Sequence, residues 1–225
     1  MPAVSRLLLM ASALLAAPAT PAVARSPAIV QHIAPNAFAY VPATITGPAP
    51  LIVVLHGAGG DARHFLDQFK HDTDQRGAIL LSVQSSGRTW AQRKPTDDEA
   101  DVANIKAAIA ELIEKAPIEK GRTTVLGFSD GASYALSIGM AYPGVFRTIV
   151  AFSPGYAFAP KELDSEQRIF IAHSRRDPIL PAENTRRMVE GLERAGFAPE
   201  VHWFNGGHEI DPQLQKAAFD FALAT

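Results

Sequence analysis

The segment Gly127-Phe128-Ser129-Asp130-Gly131 places a serine between a strand-length apolar run and a helix-length stretch. A sharp strand-to-helix turn strains its central residue and exposes that residue's side chain. It also needs glycine on both sides, because a Cβ there would collide with neighbouring backbone. The N-terminal amides of the following helix point to where an oxyanion would develop. The pattern therefore predicts Ser129 as the nucleophile of an acyl-transfer reaction.

A serine hydroxyl becomes a good nucleophile when a base takes its proton and an acid orients that base. After turns of this kind the chain order is serine, acid, histidine. Asp177 follows the strand-length segment 168–172, and His208 follows the segment 200–204 after two glycines. Both positions lie where open parallel sheets bind ligands, beyond the carboxyl ends of the strands. We predict Asp177 and His208 as the partners of Ser129.

Other residues compete for these two roles. Asp164 lies in a polar, irregular segment, and Asp211 is expected to cap the last helix, because Pro212 would occupy that helix's first position. The alternative bases are His64 and His71, expected on a solvated helix surface, His202, expected on a sheet face, and His173.

A glycine-rich segment, His56-Gly57-Ala58-Gly59-Gly60, follows the first central strand. In folds with the serine turn described above, this loop supplies the second half of the oxyanion hole. It has neither the Gly-x-Gly-x-x-Gly spacing nor the Gly-Lys-Ser/Thr ending of a phosphate-binding loop. His56 precedes the nucleophile in the chain, so we expect it to bond to the loop backbone and not to act as the base.

An acidic cluster begins the second long helical stretch. The segment Thr96-Asp97-Asp98-Glu99 fits a capping box, in which Thr96 and Glu99 each bond to the other's backbone N–H. Asp97, Asp98, Glu99 and Asp101 then complement the helix dipole without an ion. We predict no metal site and no cofactor.

Apolar runs of strand length alternate with amphipathic stretches along the chain. This alternation predicts an α/β fold with a doubly wound, mostly parallel sheet and helices on both faces. Two edge strands are expected at 29–33 and 38–41, and central strands at 51–55, 78–83, 123–126, 148–152, 168–172 and 200–204. The predicted helices are 62–76, 98–116, 129–142, 181–195 and 212–223.

The composition sets the remaining bounds. The 225 residues are 47% hydrophobic and carry a net charge of −2, with no cysteine and no basic block. Nucleic acid is therefore not an expected partner, and a cysteine nucleophile is excluded. Residues 1–24 have the form of a signal peptide, which predicts a secreted or periplasmic domain at 25–225 without stable membrane insertion after signal removal. An uncleaved anchor is the alternative.

Four segments together resemble a known family. His56–Gly60, Gly127–Gly131, Arg176–Pro181 and Gly206-Gly207-His208 look like successive signature blocks of the phospholipase/carboxylesterase branch of α/β-hydrolases. The resemblance implies a compact, cofactor-independent esterase or thioesterase with no large cap domain. It also implies Ser129, Asp177 and His208 as the triad, with the amides of Ala58 and Asp130 as the oxyanion hole. Asp130 and the pair His173-Ser174 depart from the commoner pattern.

Three aromatic residues are the sequence's candidates for substrate contact. Trp90 lies in a cation-containing loop after the second central strand, and Tyr156 and Phe158 follow another strand. For Trp90 two positions are equally compatible with the sequence: the ring contacts the substrate, or it packs beneath the loop that carries it. We expect small to medium, water-soluble esters. Feruloyl or polyhydroxyalkanoate esters, thioesters, and a catalytically inactive binding protein are the alternatives.

Overall fold

A computed structural model describes residues 29–33, 36–159, 164 and 166–224. The predicted signal peptide at 1–24 lies outside these residues and stays a prediction. Within the described ranges, no helix is both long enough and apolar enough to cross a membrane.

Eight strands form one sheet in the order β1-β2-β4-β3-β5-β6-β7-β8. The pairs β1–β2 and β2–β4 are antiparallel, and every other pair is parallel. Both strands predicted before the central sheet are present at one end of it, but only the first is an edge strand, because β2 pairs with β1 on one side and with β4 on the other. The strands are β1 (Ile29–Ile33), β2 (Ala37–Val41), β3 (Ala49–Leu55), β4 (Ile79–Val83), β5 (Ile118–Phe128), β6 (Thr148–Phe152), β7 (Arg168–Ser174) and β8 (Glu200–Phe204).

Five helices cover both faces of the sheet. Along β3, Leu51 and Val53 pack in one core with α2, α3 and α4, while Ile52 and Val54 pack in a second core with α1 and α5. Side chains that alternate between two buried faces are expected for a doubly wound sheet. The helices are α1 (Ala62–Arg76), α2 (Ala100–Lys115), α3 (Asp130–Ala141), α4 (Ala182–Arg194) and α5 (Pro212–Leu223).

The predicted capping box at the start of α2 is wrong. Glu99 is only 2% exposed, and its carboxylate accepts a hydrogen bond from the hydroxyl of Tyr134, 2.8 Å away. The helix begins at Ala100, and Glu99 at its N-cap makes no capping bond with its side chain. Burial raises the pKa of Glu99, and the bond from Tyr134 opposes that shift.

Asp101, in the first turn of α2, fastens the segment between β4 and α2. Its two carboxylate oxygens accept the backbone N–H groups of Ser86 at 2.6 Å and Ala91 at 3.2 Å. Asp97, another acidic residue at this helix start, forms an ion pair with Lys106. These acidic side chains therefore bond to other parts of the protein. No group of three or more potential metal ligands occurs in the described part of the chain.

Candidate active site

Ser129 alone forms the turn between β5 and α3. Its backbone has φ 57° and ψ −117°, a conformation that residues other than glycine rarely adopt. Its N–H donates to the carbonyl of Phe152 at the end of the neighbouring strand, 2.8 Å away. The turn is therefore tied to the centre of the sheet, and it projects the serine hydroxyl beyond the sheet's carboxyl edge.

Both flanking glycines are needed because backbone approaches them too closely for a side chain. A Cβ at Gly127 would overlap the carbonyl group of Gly131. A Cβ at Gly131 would overlap the carbonyl oxygens of Leu55 and His56. These overlaps confirm the steric reason for a Gly-x-Ser-x-Gly turn, and they show that the end of β3 lies against the start of α3.

The structure brings Ser129, His208 and Asp177 into one hydrogen-bonded chain. His208 Nε2 lies 2.7 Å from Ser129 Oγ, and His208 Nδ1 lies 2.6 Å from Asp177 Oδ2. Because an ionised carboxylate can only accept, Nδ1 carries the proton and Nε2 is free to accept the serine proton. The ring of Phe128 packs against His208, with the ring centroids 5.0 Å apart. The side chain of Asp177 is completely buried.

The buried carboxylate of Asp177 is stabilised by three elements of its surroundings. Oδ1 accepts the backbone N–H groups of Ile179 and Leu180 at 2.8 and 2.9 Å, and Oδ2 faces His208. Burial alone would raise the pKa of Asp177, but the bond from His208 and these two backbone donors outweigh it and lower the pKa below its ordinary value. Asp177 is therefore ionised at neutral pH.

A second histidine, His173, lies on the same carboxylate. Its Nε2 is 3.3 Å from Asp177 Oδ2 and 3.0 Å from the carbonyl of Leu180, and its Nδ1 is 2.7 Å from the hydroxyl of Thr185. Both partners of Nε2 are acceptors, so Nε2 carries the proton. The ring is fully buried, and burial lowers the pKa of His173, so the imidazole is neutral and donates to Asp177.

Ser174 joins the loop that carries Asp177 to the loop that carries His208. Its hydroxyl donates to the carbonyl of Gly206 at 2.5 Å and accepts the N–H groups of Gly206 and Arg176, each at 3.1 Å. The sequence marked Ser174 only as a departure from the commoner pattern. The available signal was its position at the end of β7, three residues before Asp177.

The loop after β3 supplies the second wall of the site. A Cβ at Gly57 would lie 3.4 Å from the Cβ of Ser129, so this loop passes directly beside the nucleophile. Within the described ranges, neither the amide of Ala58 nor that of Asp130 donates to a protein acceptor. Asp130 is the first residue of α3, where amides have no partner inside the helix. Both amides are therefore available to an oxyanion.

His56 supports this loop from within, as expected. Its Nε2 accepts the N–H of Ser85 at 3.2 Å, so Nδ1 carries the proton and donates to the carbonyl of Gly57 at 2.7 Å. Gln84 adds a bond to the carbonyl of Gly60. The imidazole therefore fixes the glycine-rich loop and makes no bond to Ser129.

Trp90 does not occupy the substrate-contact position considered for it. Its side chain is only 1% exposed, and its indole N–H donates to the carbonyl of His56 at 2.8 Å. The ring stacks on Tyr134 of α3, with centroids 5.1 Å apart and planes 16° from parallel. Trp90 therefore lies beneath the glycine-rich loop, because its large apolar ring and single donor are both satisfied there.

Tyr156 and Phe158 lie on a half-buried segment after β6. The hydroxyl of Tyr156 donates to Asp130 at 3.2 Å, which places Tyr156 beside the nucleophile turn. The N–H of Phe158, on the same segment, donates to the hydroxyl of Ser137 of α3 at 2.9 Å, and its ring contacts that of Tyr156, with centroids 5.3 Å apart. Ser133 accepts the N–H of Gly155 in the same way. These two serines, four residues apart on one helix face, were not recognised from the sequence.

The competing acids and bases lie elsewhere. Asp164 pairs with Arg147, and Asp211 caps α5 as predicted. His202 stacks on Phe170 at a sheet face. His64 and His71 lie exposed on α1. None of these residues contacts Ser129 or His208.

This fold and this arrangement of serine, histidine and aspartate define an α/β-hydrolase. The model of the phospholipase/carboxylesterase family matches residues 36–223, so the chain belongs to that family. The predictions of the family, of the fold and of an enzyme of the serine hydrolase class are confirmed.

Individual relatives agree. Esterase YpfH of Escherichia coli (strain K12) is 25% identical over 191 residues, which is 76% of this chain and 80% of that protein. The crystal structure of a Bacillus cereus carboxylesterase is 22% identical, with a TM-score of 0.63 over 83% of this chain and 92% of that one. An acetyl xylan esterase from Aspergillus awamori is 16% identical, with a TM-score of 0.67 over 84% and 94%. The two structures support the fold.

The bonding around Asp177 predicts a large effect of Asp177→Asn. The two backbone donors at Oδ1 will hold the new amide oxygen, so the amide NH₂ will face His208 Nδ1 and force the proton onto Nε2. In that tautomer His208 cannot accept the serine proton, and we expect kcat to fall on the order of 10³ to 10⁴-fold. Steady-state hydrolysis of p-nitrophenyl acetate measures this. Asp164→Asn is the matched control, and its kcat should stay within about twofold of wild type, since surface substitutions outside a catalytic or buried network have small effects. Equal losses of kcat in both variants would refute the tautomer argument.

The buried neutral His173 predicts a pH-dependent stability. Its pKa is lowered in the folded protein, so the unfolded chain binds this proton more readily, and stability is lost as pH falls below about 6.5. Between pH 7.5 and 5.5, wild type should lose about 1 kcal/mol through this residue.

Urea unfolding at the two pH values measures this loss. His173→Gln should show a smaller loss than wild type, whereas His64→Gln, an exposed control on α1, should show the full loss. An unchanged pH dependence in His173→Gln would contradict a neutral His173.

Proposed function

We propose that this protein hydrolyses carboxylic esters of small to medium size through an acyl-enzyme on Ser129. The observation that carries the proposal is the hydrogen-bonded chain from Ser129 Oγ through His208 to the buried, ionised Asp177. Membership of the phospholipase/carboxylesterase family supports it.

In the proposed reaction, Ser129 Oγ forms a bond to the ester carbonyl carbon while its proton passes to His208 Nε2. The negative charge on the carbonyl oxygen is bound by the amides of Ala58 and Asp130. As the carbonyl re-forms, the bond to the alcohol oxygen breaks, and His208 returns the proton to the leaving alcohol. Water, deprotonated by His208, then attacks the acyl-enzyme and releases the acid and Ser129.

Asp177 keeps its negative charge throughout this cycle. It holds His208 in the tautomer that accepts from serine, and it stabilises the imidazolium that forms after proton transfer. The donors at Ile179, Leu180 and His173 keep the carboxylate ionised and fixed in place. This bonding gives His208 a single orientation before substrate arrives.

The proposed limit to small and medium-sized esters rests on the loops at the carboxyl edge of the sheet. The segment between β4 and α2 is bonded to Asp101, to Asp130 and to Gly59, so it forms part of the wall of the site. In the described part of the chain, no large cap domain covers Ser129. A site without such a cap favours soluble esters over long-chain lipid held in an enclosed tunnel.

A panel of p-nitrophenyl acetate, butyrate, octanoate and palmitate, a feruloyl ester and an acyl thioester tests the proposal. We expect the highest kcat/KM among the acetyl to octanoyl esters. Ser129→Ala should lower kcat on the order of 10⁴-fold or more, because the nucleophile is lost.

Ser153→Ala is the matched control. Ser153 also has positive φ at a strand end, but its buried hydroxyl has no hydrogen-bond partner in the described residues. It should keep activity within about threefold, since no bond is removed. Wild-type activity in Ser129→Ala, or a preference for palmitate, would contradict the proposal.

A further inference from the structure

One buried residue contacts both halves of the oxyanion site, once through its side chain and once through its backbone. The indole N–H of Trp90 donates to the carbonyl of His56, two residues before Ala58, at 2.8 Å. The backbone N–H of the same residue donates to the carboxylate of Asp130, also at 2.8 Å. Trp90 therefore holds one group just before the first proposed oxyanion donor and another on the residue that supplies the second donor.

The surroundings of Trp90 leave it little freedom to move. Its ring stacks on that of Tyr134, with centroids 5.1 Å apart, and also contacts the ring of His56, with centroids 5.3 Å apart. The chain just before Trp90 is also fixed, because the carbonyl of Arg88 accepts the N–H of Gly59 at 2.6 Å. Trp90 is only 1% exposed, so water does not compete for its two hydrogen bonds.

Both carboxylate oxygens of Asp130 accept hydrogen bonds from this part of the protein. Oδ2 accepts from Trp90, and Oδ1 accepts from the hydroxyl of Tyr156 at 3.2 Å. Residue 130 is 8% exposed, and its carboxylate is bonded into the protein. The acidic residue beside the nucleophile thus fastens the first turn of α3 to the loops on either side of it.

We propose that Trp90 is a positioning residue that sets the distance between the Ala58 and Asp130 amides, and that Asp130 receives this constraint through its carboxylate. The inference rests on the proposed function, since it concerns the oxyanion site of that reaction. Oxyanion donors act only if they already lie where the charge will develop, and small displacements are costly in rate. The hydrogen bonds and ring contacts of Trp90 are with Asp130, His56 and Tyr134, so it acts through the loop and the helix that carry the two amides.

The test compares an oxoester with the matching thionoester, in which sulfur replaces the carbonyl oxygen. Sulfur accepts hydrogen bonds weakly, so the thionoester gains little from the two amides. The ratio of kcat/KM for the oxoester to that for the thionoester therefore reports how well the amides are placed. Both rates come from one sample, so the ratio does not depend on how much of a variant is folded.

Trp90→Phe keeps a buried ring but removes the indole N–H. We expect its ratio to fall on the order of 10 to 100-fold below that of wild type, because misplaced donors stabilise the oxyanion less. Asp130→Ala removes the carboxylate that Trp90 and Tyr156 bind, and its ratio should fall in the same direction. Tyr134→Phe is the control: it keeps the stacked ring, loses only the bond to Glu99, and should keep the wild-type ratio.

The outcomes separate this inference from the proposed function. If wild type cleaves the oxoester and the ratio falls in Trp90→Phe and Asp130→Ala but not in Tyr134→Phe, the positioning role stands. Equal loss of both rates in Trp90→Phe, with an unchanged ratio, would show a purely structural residue and overturn the inference. A fall of the same size in Tyr134→Phe would also overturn it. Inactive wild type would instead contradict the proposed function.

Discussion

The backbone of Ser129 is the constraint around which the site is arranged. A residue with a Cβ at φ 57° costs on the order of 1 to 3 kcal/mol, so the surrounding structure must enforce that conformation. It does so through backbone: Gly127 and Gly131 allow the strand, the turn and the helix to cross at contact distance, and the N–H of Ser129 bonds to Phe152 in the adjacent strand. A central position in a sheet covered on both faces supplies the burial that offsets the strain.

The acid and base loops depend on bonds made behind the reacting atoms. Asp177 receives donors from two backbone amides and from two histidines, one of them the fully buried His173. Ser174 ties the loop of Asp177 to that of His208 through Gly206. These contacts bring together side chains that are distant in the chain, so the geometry is present before substrate binds.

Much of the fold could be predicted from the sequence because the sheet is buried on both faces. Its strands are short apolar runs and its helices are amphipathic, and α1 and α5 begin and end where the pattern indicates. The helix predicted from residue 98 begins two residues later, and its predicted capping box is wrong: Glu99, a residue that favours solvent, is buried against Tyr134, 35 residues away in the chain. Helix-start rules describe local bonds, and a tertiary contact overrode them here.

Part of the site could likewise be predicted from the sequence, and part could not. Ser129, Asp177 and His208 could be proposed because strand ends and chain order bring such residues to one edge of the sheet. The role of Trp90 could not, since a sequence does not show whether an aromatic ring on a loop turns outward to substrate or inward beneath the loop. The supporting bonds of His173, Ser133 and Ser137 depend on side-chain directions that become visible only in three dimensions.

Covalent labelling tests the central claim, that His208 activates Ser129 as the nucleophile. Intact-protein and peptide mass spectrometry after incubation with a fluorophosphonate should show one adduct per chain, carried by Ser129. The labelling should be slowed on the order of 100-fold or more in His208→Ala, since general-base assistance contributes 10² to 10⁴-fold. An unlabelled protein, an adduct on another serine, or unchanged labelling in His208→Ala would contradict the claim.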